Sequence, residues 1–328
     1  MSVKRWICCL AILLTAICGA NARAQNFRSP AVLPGDDPIY VAPPPQQPIM
    51  GGNLASEEVV DADRVLADYD GFQEGESFSW QILPQGHMYR SYLADVKEAR
   101  MYGGVDDARD DSVFWSATLG SRVGIVRYGT TDYILPDGFQ LDVEGSAQVR
   151  LDVPQDVDVR SVDFRGGMPI TFGFGKHRIK TGYYHLSSHL GDEFLIKNPG
   201  YDRLNYARDT LVLGYSYYST PNLRYYGEVG WAFYTIVAEP WEFRFGIDYA
   251  PQYRTGACGA PFFAVNTHLK QELNYSGNFT AQLGWAWRAD NGPQLLRVGF
   301  QYFNGLSSQN SFVFNHEETF GFGVWYDF

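Results

Sequence analysis

The sequence has no long apolar run after residue 17. A membrane-spanning helix needs about 18 or more consecutive apolar residues, and the rest of the 328-residue chain offers none. Cysteine is scarce as well: three of the four cysteines lie at or before Cys18, in the expected signal peptide, so Cys258 cannot make an intramolecular disulfide in the exported chain. Basic residues are outnumbered by acidic ones, 26 to 37. These absences exclude a helical membrane protein, a disulfide framework and a nucleic-acid-binding chain, because phosphates require a basic surface.

The amino-terminal residues have the pattern of a secretory signal. Lys4 and Arg5 precede an apolar run over residues 6–17, and Ala22-Arg23-Ala24 forms a small-x-small cleavage site. We therefore expect residues 1–24 to be a signal peptide that is removed on export.

The residues that follow the signal are rich in proline and poor in periodic apolar positions. Pro43-Pro44-Pro45 is the clearest case, and such composition favours an extended or disordered segment. We predict a proline-rich leader over residues 25–78, with a short helix over 57–68. The folded domain is then expected over residues 79–328.

The segment from Leu141 to Val153 alternates without a slip between apolar or small residues and polar ones. Successive side chains of a strand point to opposite faces, so this segment has one apolar and one polar face. Ordinary strands have about 5–6 residues, whereas a tilted strand that crosses a bilayer needs about 9–11. The length and the period together predict a membrane-spanning β-strand.

The same alternation recurs through the second two-thirds of the chain, and aromatic residues reach 16%. That content suits the two aromatic girdles of a membrane barrel. We predict an all-β fold, a transmembrane antiparallel up-and-down β-barrel of about twelve strands, with an exported aromatic-rich β-sandwich as the alternative. The expected strands cover residues 95–104, 112–128, 138–153, 158–174, 177–190, 205–219, 222–236, 240–251, 261–273, 278–289, 294–304 and 317–328.

Connection lengths orient this barrel. Short turns at 175–176, 219–221 and 290–293 alternate with long loops at 191–204 and 305–316, and short turns face the periplasm in such barrels. Both chain ends are therefore expected on the periplasmic side. Longer connections at 129–137 and 252–260 keep counts of ten or fourteen strands open.

The last strand ends on Phe328, with Phe320, Phe322, Val324 and Tyr326 on the same face. This ending resembles the carboxyl-terminal signal that is read by the assembly machinery of bacterial outer-membrane barrels. The resemblance implies that machinery and outer-membrane lipid as partners, and the bacterial outer membrane as the location. The oligomeric state stays open.

Three stretches resemble a family of uncharacterised exported bacterial proteins. They are Ile82-Leu83-Pro84 leading to Tyr92-Leu93-Ala94-Asp95, then the segment from Gly182 to Phe194, and then Arg203 to Asp209. The resemblance covers residue 79 to the carboxyl terminus, and the segment His-Leu-Ser-Ser-His-Leu-Gly-Asp-Glu is its most specific part. It implies a fold more than an activity.

His185 and Ser187 form the candidate catalytic pair. Two residues apart on a strand, they share a face with Cα atoms about 6.6 Å apart. The imidazole could take the hydroxyl proton, and the serine could then attack an ester carbonyl. The arrangement is similar to the His-x-Ser element of outer-membrane phospholipase and of lipid A deacylase, barrels whose dyad faces the outer leaflet. That similarity implies acyl-ester hydrolysis.

A third group would have to orient the imidazole. Asn205 looks most like the phospholipase partner, with Asp209 and Glu193 as the other candidates. In those hydrolases an asparagine usually follows the serine, whereas this chain has Ser188 there. Asp192 and Glu193 carry hard oxygen ligands that could hold Ca²⁺ near the site.

A zinc site is one alternative interpretation of the same residues. His185 and His189 would share a zinc ion on a helix, but on a strand they lie about 13 Å apart and cannot.

A non-enzymatic structural barrel or a narrow porin-like channel is the competing functional class. Charges of mixed sign favour a salt-bridged interior over a selective pore; the positions expected to line or plug the lumen are Asp142, Glu144, Arg150, Arg224, Glu228, Arg244, Asp248, Lys270, Glu272, Arg288 and Arg297.

Overall fold

The computed structural model describes residues 77–109 and 112–328. The signal peptide, the proline-rich leader and its short helix lie outside the described residues. Thirteen strands occur in the described part: β1 (Ser79–Ile82), β2 (Met101–Ala108), β3 (Val113–Gly129), β4 (Gly138–Asp152), β5 (Asp158–Phe174), β6 (His177–Leu190), β7 (Ala207–Thr220), β8 (Leu223–Ile236), β9 (Trp241–Tyr249), β10 (Ala260–Lys270), β11 (Ser276–Arg288), β12 (Leu295–Leu306) and β13 (His316–Asp327).

Helices are short. One α-helix, α1 (Asp192–Lys197), lies in the loop between β6 and β7, and 3₁₀ turns cover Val153–Gln155, Gln271–Leu273 and Asn310–Phe312. None of the helices in residues 77–109 and 112–328 is long and apolar enough to span a membrane.

Strands β2 to β13 form a closed antiparallel barrel of twelve strands. Each strand pairs with its sequence neighbours, and β13 pairs with β2 to close the ring. The predicted count is confirmed, and closure rules out the β-sandwich. Strand β1 pairs only with the last residues of β3, from Ser79↔Gly129 to Ile82↔Val126.

The tightest turns and the longest loops lie at opposite ends of the barrel, as their parity predicted, although short connections at 153–157, 237–240 and 271–275 lie at the same end as the long loops. The turn end carries the tight connections at 175–176 and 221–222 together with Phe328, and the loop end carries 191–206 and 307–315. The connections 130–137 and 250–259 also belong to the turn end, so their length does not change the strand count.

The outward wall is apolar along most of its length. Outward residues alternate with buried inward ones on each strand, which is the period-two pattern of the sequence. A continuous apolar and aromatic belt is what a barrel wall in contact with hydrocarbon requires. Large exposed members of this belt are Trp115, Leu119, Val123, Val143, Phe164, Met168, Phe172, Leu211, Leu213, Trp231, Phe245, Phe263, Phe279, Leu283, Trp285, Phe320 and Val324.

The inward wall is charged and ion-paired. Ten of the eleven charges expected there are buried, and Glu272 lies in a 3₁₀ turn at the loop end. Opposite charges compensate one another, mostly on neighbouring strands and in the case of Arg150–Glu317 between β4 and β13, and a low-dielectric interior requires such compensation. The pairs include Arg122–Asp142, Arg150–Glu317, Arg165–Glu144, Arg224–Asp248, Arg244–Glu228 and Arg297–Asp327.

Residues 84–100 run through the lumen, and we call them the plug segment. The strand expected at 95–104 is corrected here: the wall resumes only at Met101, and residues 95–100 lie inside the barrel. Wall side chains bind the plug segment directly: Lys97 Nζ lies 2.5 Å from Asp163, and Arg244 Nε 3.1 Å from Asp95. Arg224 donates to the carbonyls of Arg90 and Ser91, and Arg297 donates to that of Leu93.

The loop 307–315 also folds into the lumen, above the plug segment. Asn310 and Ser311 are buried, and the Asn310 backbone N–H donates to Asp163 at 3.1 Å. Asp163 therefore binds both Lys97 of the plug segment and Asn310 of the loop. Together the two segments fill the barrel at the loop end.

Candidate active site

Strand β6 carries the predicted residues on the outward wall. Its even-numbered residues Tyr184, Leu186 and Ser188 are buried inside the barrel, so His185 and Ser187 point outward by alternation. The His185 side chain is 46% exposed. Both residues lie near the loop end of β6, where the strand gives way to α1 and the loop 191–206.

Asp209 of β7 orients the imidazole. In the β6–β7 register His185 lies directly opposite Asp209, and its Nδ1 is 2.8 Å from Asp209 Oδ1. Tyr183 donates its hydroxyl to the same oxygen at 2.6 Å. A carboxylate that accepts a hydrogen bond from Nδ1 favours the tautomer with its proton on Nδ1. Nε2 is then unprotonated and can act as a base.

Ser187 stands one outward position further along β6. Its register partners are Phe164 on β5 and Ala207 on β7. Within the described chain its hydroxyl makes no hydrogen bond, so the serine and the imidazole share a face without yet being joined. Catalytic hydrogen bonds are often loose or poorly aligned before substrate binds.

Asn205, which the phospholipase resemblance suggested as the orienting group, does not hold that position. It is exposed in the loop two residues before Ala207, the partner of Ser187. Among the described residues Asp209, which was one of the other candidates, accepts the hydrogen bond from His185 Nδ1. Glu193, the remaining candidate, is exposed in α1.

Arg203 is a positively charged side chain beside this site. Its guanidinium lies 3.4 Å from Nδ1 of His189, and His189 is the next outward residue of β6 after Ser187. The His189 ring also packs edge-on against Phe164, with centroids 5.9 Å apart. Arg203 is exposed, and no carboxylate of the described chain pairs with it.

The expected Ca²⁺ ligands are not gathered into a metal site. Asp192 and Glu193 occupy the first turn of α1 and are exposed. Residues 77–109 and 112–328 contain no group of three or more His, Cys, Asp or Glu that could hold a metal ion. Two carboxylates alone fall short of the six to eight oxygens that Ca²⁺ takes, so Ca²⁺ binding stays a prediction.

Sequence reasoning missed Tyr183 and Arg203. Tyr183 shares the face of His185 and Ser187 by period two, so the alternation could have found it. Arg203 lies in a loop, and the sequence gives no rule for how a loop returns to the strand it left.

The closed ring, the apolar outer wall and the ion-paired lumen define a transmembrane β-barrel with a His–Asp pair and a serine on its outer wall. Over residues 50–328 the sequence matches the model of the family described as "Protein of unknown function (DUF1207)", and the chain belongs to that family. A search of curated proteins found no match.

Solved structures with a similar fold are outer-membrane barrels. The outer membrane phospholipase A from Escherichia coli is 12% identical over 71% of this chain and 91% of its own, with a TM-score of 0.45. The KdgM porin in complex with disordered oligogalacturonate is 13% identical over 70% of this chain and 98% of its own, with a TM-score of 0.39. The outer membrane phospholipase dimer from Salmonella typhi, with bound calcium, is 11% identical over 72% and 93%, with a TM-score of 0.45. Identities and TM-scores this low say nothing about activity.

Proposed function

We propose that this protein is an outer-membrane serine hydrolase that cleaves acyl esters of lipids at the membrane surface. The observation that carries the proposal is the 2.8 Å contact between His185 Nδ1 and Asp209 Oδ1, with Ser187 next on the same outward face. A triad is recognised by its geometry and by the role of each group. Here Ser187, His185 and Asp209 lie near the loop end of the barrel, on its outward, lipid-facing wall.

The chemical steps follow from the three groups. Ser187 Oγ attacks the ester carbonyl while His185 Nε2 takes its proton, and Asp209 stabilises the imidazolium. The imidazolium then protonates the leaving alkoxide, which departs as a lysolipid and leaves an acyl-serine. Water attacks the acyl-serine, gives its proton to His185, and releases the fatty acid and the free serine. Every proton taken is returned, and no cofactor enters the cycle.

Apolar side chains surround Ser187 and Asp209 on the outward wall. Phe164 flanks Ser187, and Leu211 and Trp231 lie one outward row below Asp209 towards the turn end. An acyl chain in the membrane lies against such apolar side chains, while the ester group lies at the polar boundary. The nucleophile thus faces the bilayer, where the carbonyl of an outer-leaflet lipid is found.

The test is chemical labelling together with turnover. Purified protein in detergent, with and without Ca²⁺, is given phospholipid, and released fatty acid is measured. In parallel, a long-chain alkylsulfonyl fluoride is added; an activated serine displaces fluoride and becomes sulfonylated. We expect fatty-acid release and a mass increase on the peptide that contains Ser187. No release and no labelling of this peptide would refute the hydrolase.

Arg203 is expected to favour phosphate-bearing lipids. The Arg203 guanidinium lies beside His189, the outward residue of β6 that follows Ser187. Arginine binds phosphate through two parallel N–H donors. Arg203→Gln should raise KM for a phosphatidyl substrate about 3- to 10-fold and leave KM for an uncharged glyceride unchanged. Arg254→Gln, an exposed arginine at the turn end, is the matched control. An equal rise in KM for both substrates would show that Arg203 does not bind the phosphate.

The channel alternative predicts a different property. The plug segment and the loop 307–315 occupy the lumen and are bound to its wall by ion pairs and hydrogen bonds, which would obstruct the flow of ions. In planar bilayers we therefore expect no steady conductance from the wild-type protein, relative to the same detergent without protein. A stable ohmic current that scales with protein concentration would favour the porin-like alternative.

A further inference from the structure

The barrel wall has a gap between β2 and β1. Strand β2 pairs with β3 only as far as Met101↔Leu119, and β1 begins to pair at Ile82↔Val126. Between these two points the chain is inside the lumen as the plug segment. Residues Gly120–Gly124 of β3 therefore have no strand partner on this side within the described chain, whereas β4 pairs with them on the other side.

The opposite edge of the gap is the end of β13. Its pairing with β2 stops at Tyr326↔Met101, so Asp327 and Phe328 extend beyond the last pair. The missing length of β2 leaves an opening about one strand wide, on the order of 5 Å. An extended acyl chain has a comparable width.

A cavity lies directly behind this wall gap. It is bordered by Arg122 of β3, by Asp327 and Phe328 of β13, and by Ala99 of the plug segment. These residues come from both edges of the gap and from the segment that leaves it. Unpaired backbone is tolerated at membrane depth only where it is buried in protein or borders a water-filled space, and Arg122 of the unpaired stretch borders this cavity.

The cavity is basic inside and its rim is apolar. Arg90, Arg122, Arg224 and Arg288 line it against the carboxylates of Asp248, Asp327 and the chain terminus. His87 also lines it, with Nδ1 3.9 Å from Asp142, beyond hydrogen-bond distance. On the outer rim Leu119, Val123 and Met101 are 57%, 47% and 42% exposed.

A basic pocket behind an apolar opening matches a molecule with an anionic head and one hydrocarbon tail. We propose that the wall gap admits a single-chain anionic lipid, whose head group binds among the cavity arginines and whose tail passes between β13 and β3. The arginines supply charge-assisted hydrogen bonds, and Leu119 and Val123 contact the tail. The site lies towards the turn end, away from Ser187, and does not depend on the hydrolase activity.

The probe is a fatty acid with a photoreactive diazirine in its tail, mixed with the full-length protein in non-ionic detergent. After illumination we expect crosslinked peptides from β3 around residues 119–125, from the end of β13 and from the plug segment. Excess unlabelled oleate should abolish these crosslinks, whereas inorganic phosphate or uncharged monoolein should not. Crosslinks spread evenly over the apolar belt would overturn the proposal, as would full competition by phosphate alone.

Ala99→Phe is expected to fill the cavity and to lower oleate affinity at least 10-fold, with Ala257→Phe in an exposed turn-end connection as the control. A gel shift between boiled and unboiled samples reports whether each variant keeps a closed barrel. If Ala99→Phe does not fold, the pair Arg122→Gln with Asp142→Asn takes its place, since it removes the Arg122 guanidinium from the cavity lining without leaving a lone buried ion. A folded variant that binds oleate as tightly as the wild-type protein would contradict the site.

Discussion

Ser187→Ala and His185→Ala are each expected to lower fatty-acid release by about 10³-fold or more, and the double variant by no more than either one alone. Members of a catalytic triad act as a unit, so removal of one abolishes the contribution of the others. The reason here is specific: Ser187 Oγ is unreactive without the base at His185 Nε2, and that base has no task without the serine.

The matched control is Ser121→Ala. Ser121 is an outward serine of β3, half-buried like Ser187, without a histidine two residues away. It should retain wild-type activity. Asp209→Asn should give a smaller loss with the serine still present, because the amide cannot stabilise the imidazolium and can donate to Nδ1, which leaves the proton on Nε2. Additive losses in the double variant would show that the two residues do not act on one reaction.

Glu242→Ala is expected to destabilise the barrel by about 3–5 kcal/mol, the cost of leaving buried charges without their partner. Glu242 accepts from Arg244 at 2.8 Å, from His268 at 2.9 Å and from the Tyr184 hydroxyl, and Arg208 lies 3.3 Å away. Its removal leaves Arg208 without its carboxylate inside the lumen.

Urea unfolding in detergent, followed by tryptophan fluorescence and by gel mobility, measures this loss. Glu239→Ala is the control, because Glu239 is an exposed residue of the neighbouring loop-end connection and should change the free energy of unfolding by less than about 0.5 kcal/mol. A Glu242→Ala protein with an unchanged midpoint would mean that the lumen is solvated and the pairing weak.

The strands could be predicted from the sequence because the membrane imposes a strict rule on them. Leu141 to Val153 alternates without a slip, and β4 occupies Gly138–Asp152. Hydrocarbon on one face and packed charge on the other leave no freedom in the pattern. The ion-paired lumen followed from the same alternation, since charges of both signs fell on inward positions.

The plug segment could not be predicted in this way. Residues 84–100 contain tyrosines, charges and small residues without a period, because they meet polar and apolar neighbours on every side. Tyr92 donates to Glu228, 136 positions later, and Lys97 meets Asp163. Contacts of this range depend on barrel closure, which local sequence does not encode.

The site was partly predictable. His185 and Ser187 share a face by simple parity, whereas the choice between Asn205 and Asp209 depended on the register across a sixteen-residue connection (191–206). The loop returns so that Ala207 meets Ser187, which places Asp209 opposite His185. No residue within the loop predicts this register between β6 and β7.

The plug segment lies immediately before β2, the eight-residue strand that joins β3 to β13. Because β2 completes the ring, the plug segment is enclosed at the moment the first and last barrel strands meet. Its later withdrawal through the turn end would have to break its ion pairs and hydrogen bonds to the wall, such as Lys97–Asp163 and Arg244–Asp95. We therefore expect biogenesis of this protein to place residues 84–100 among the wall side chains before or during ring closure, because insertion into a closed barrel has to proceed through its narrow end.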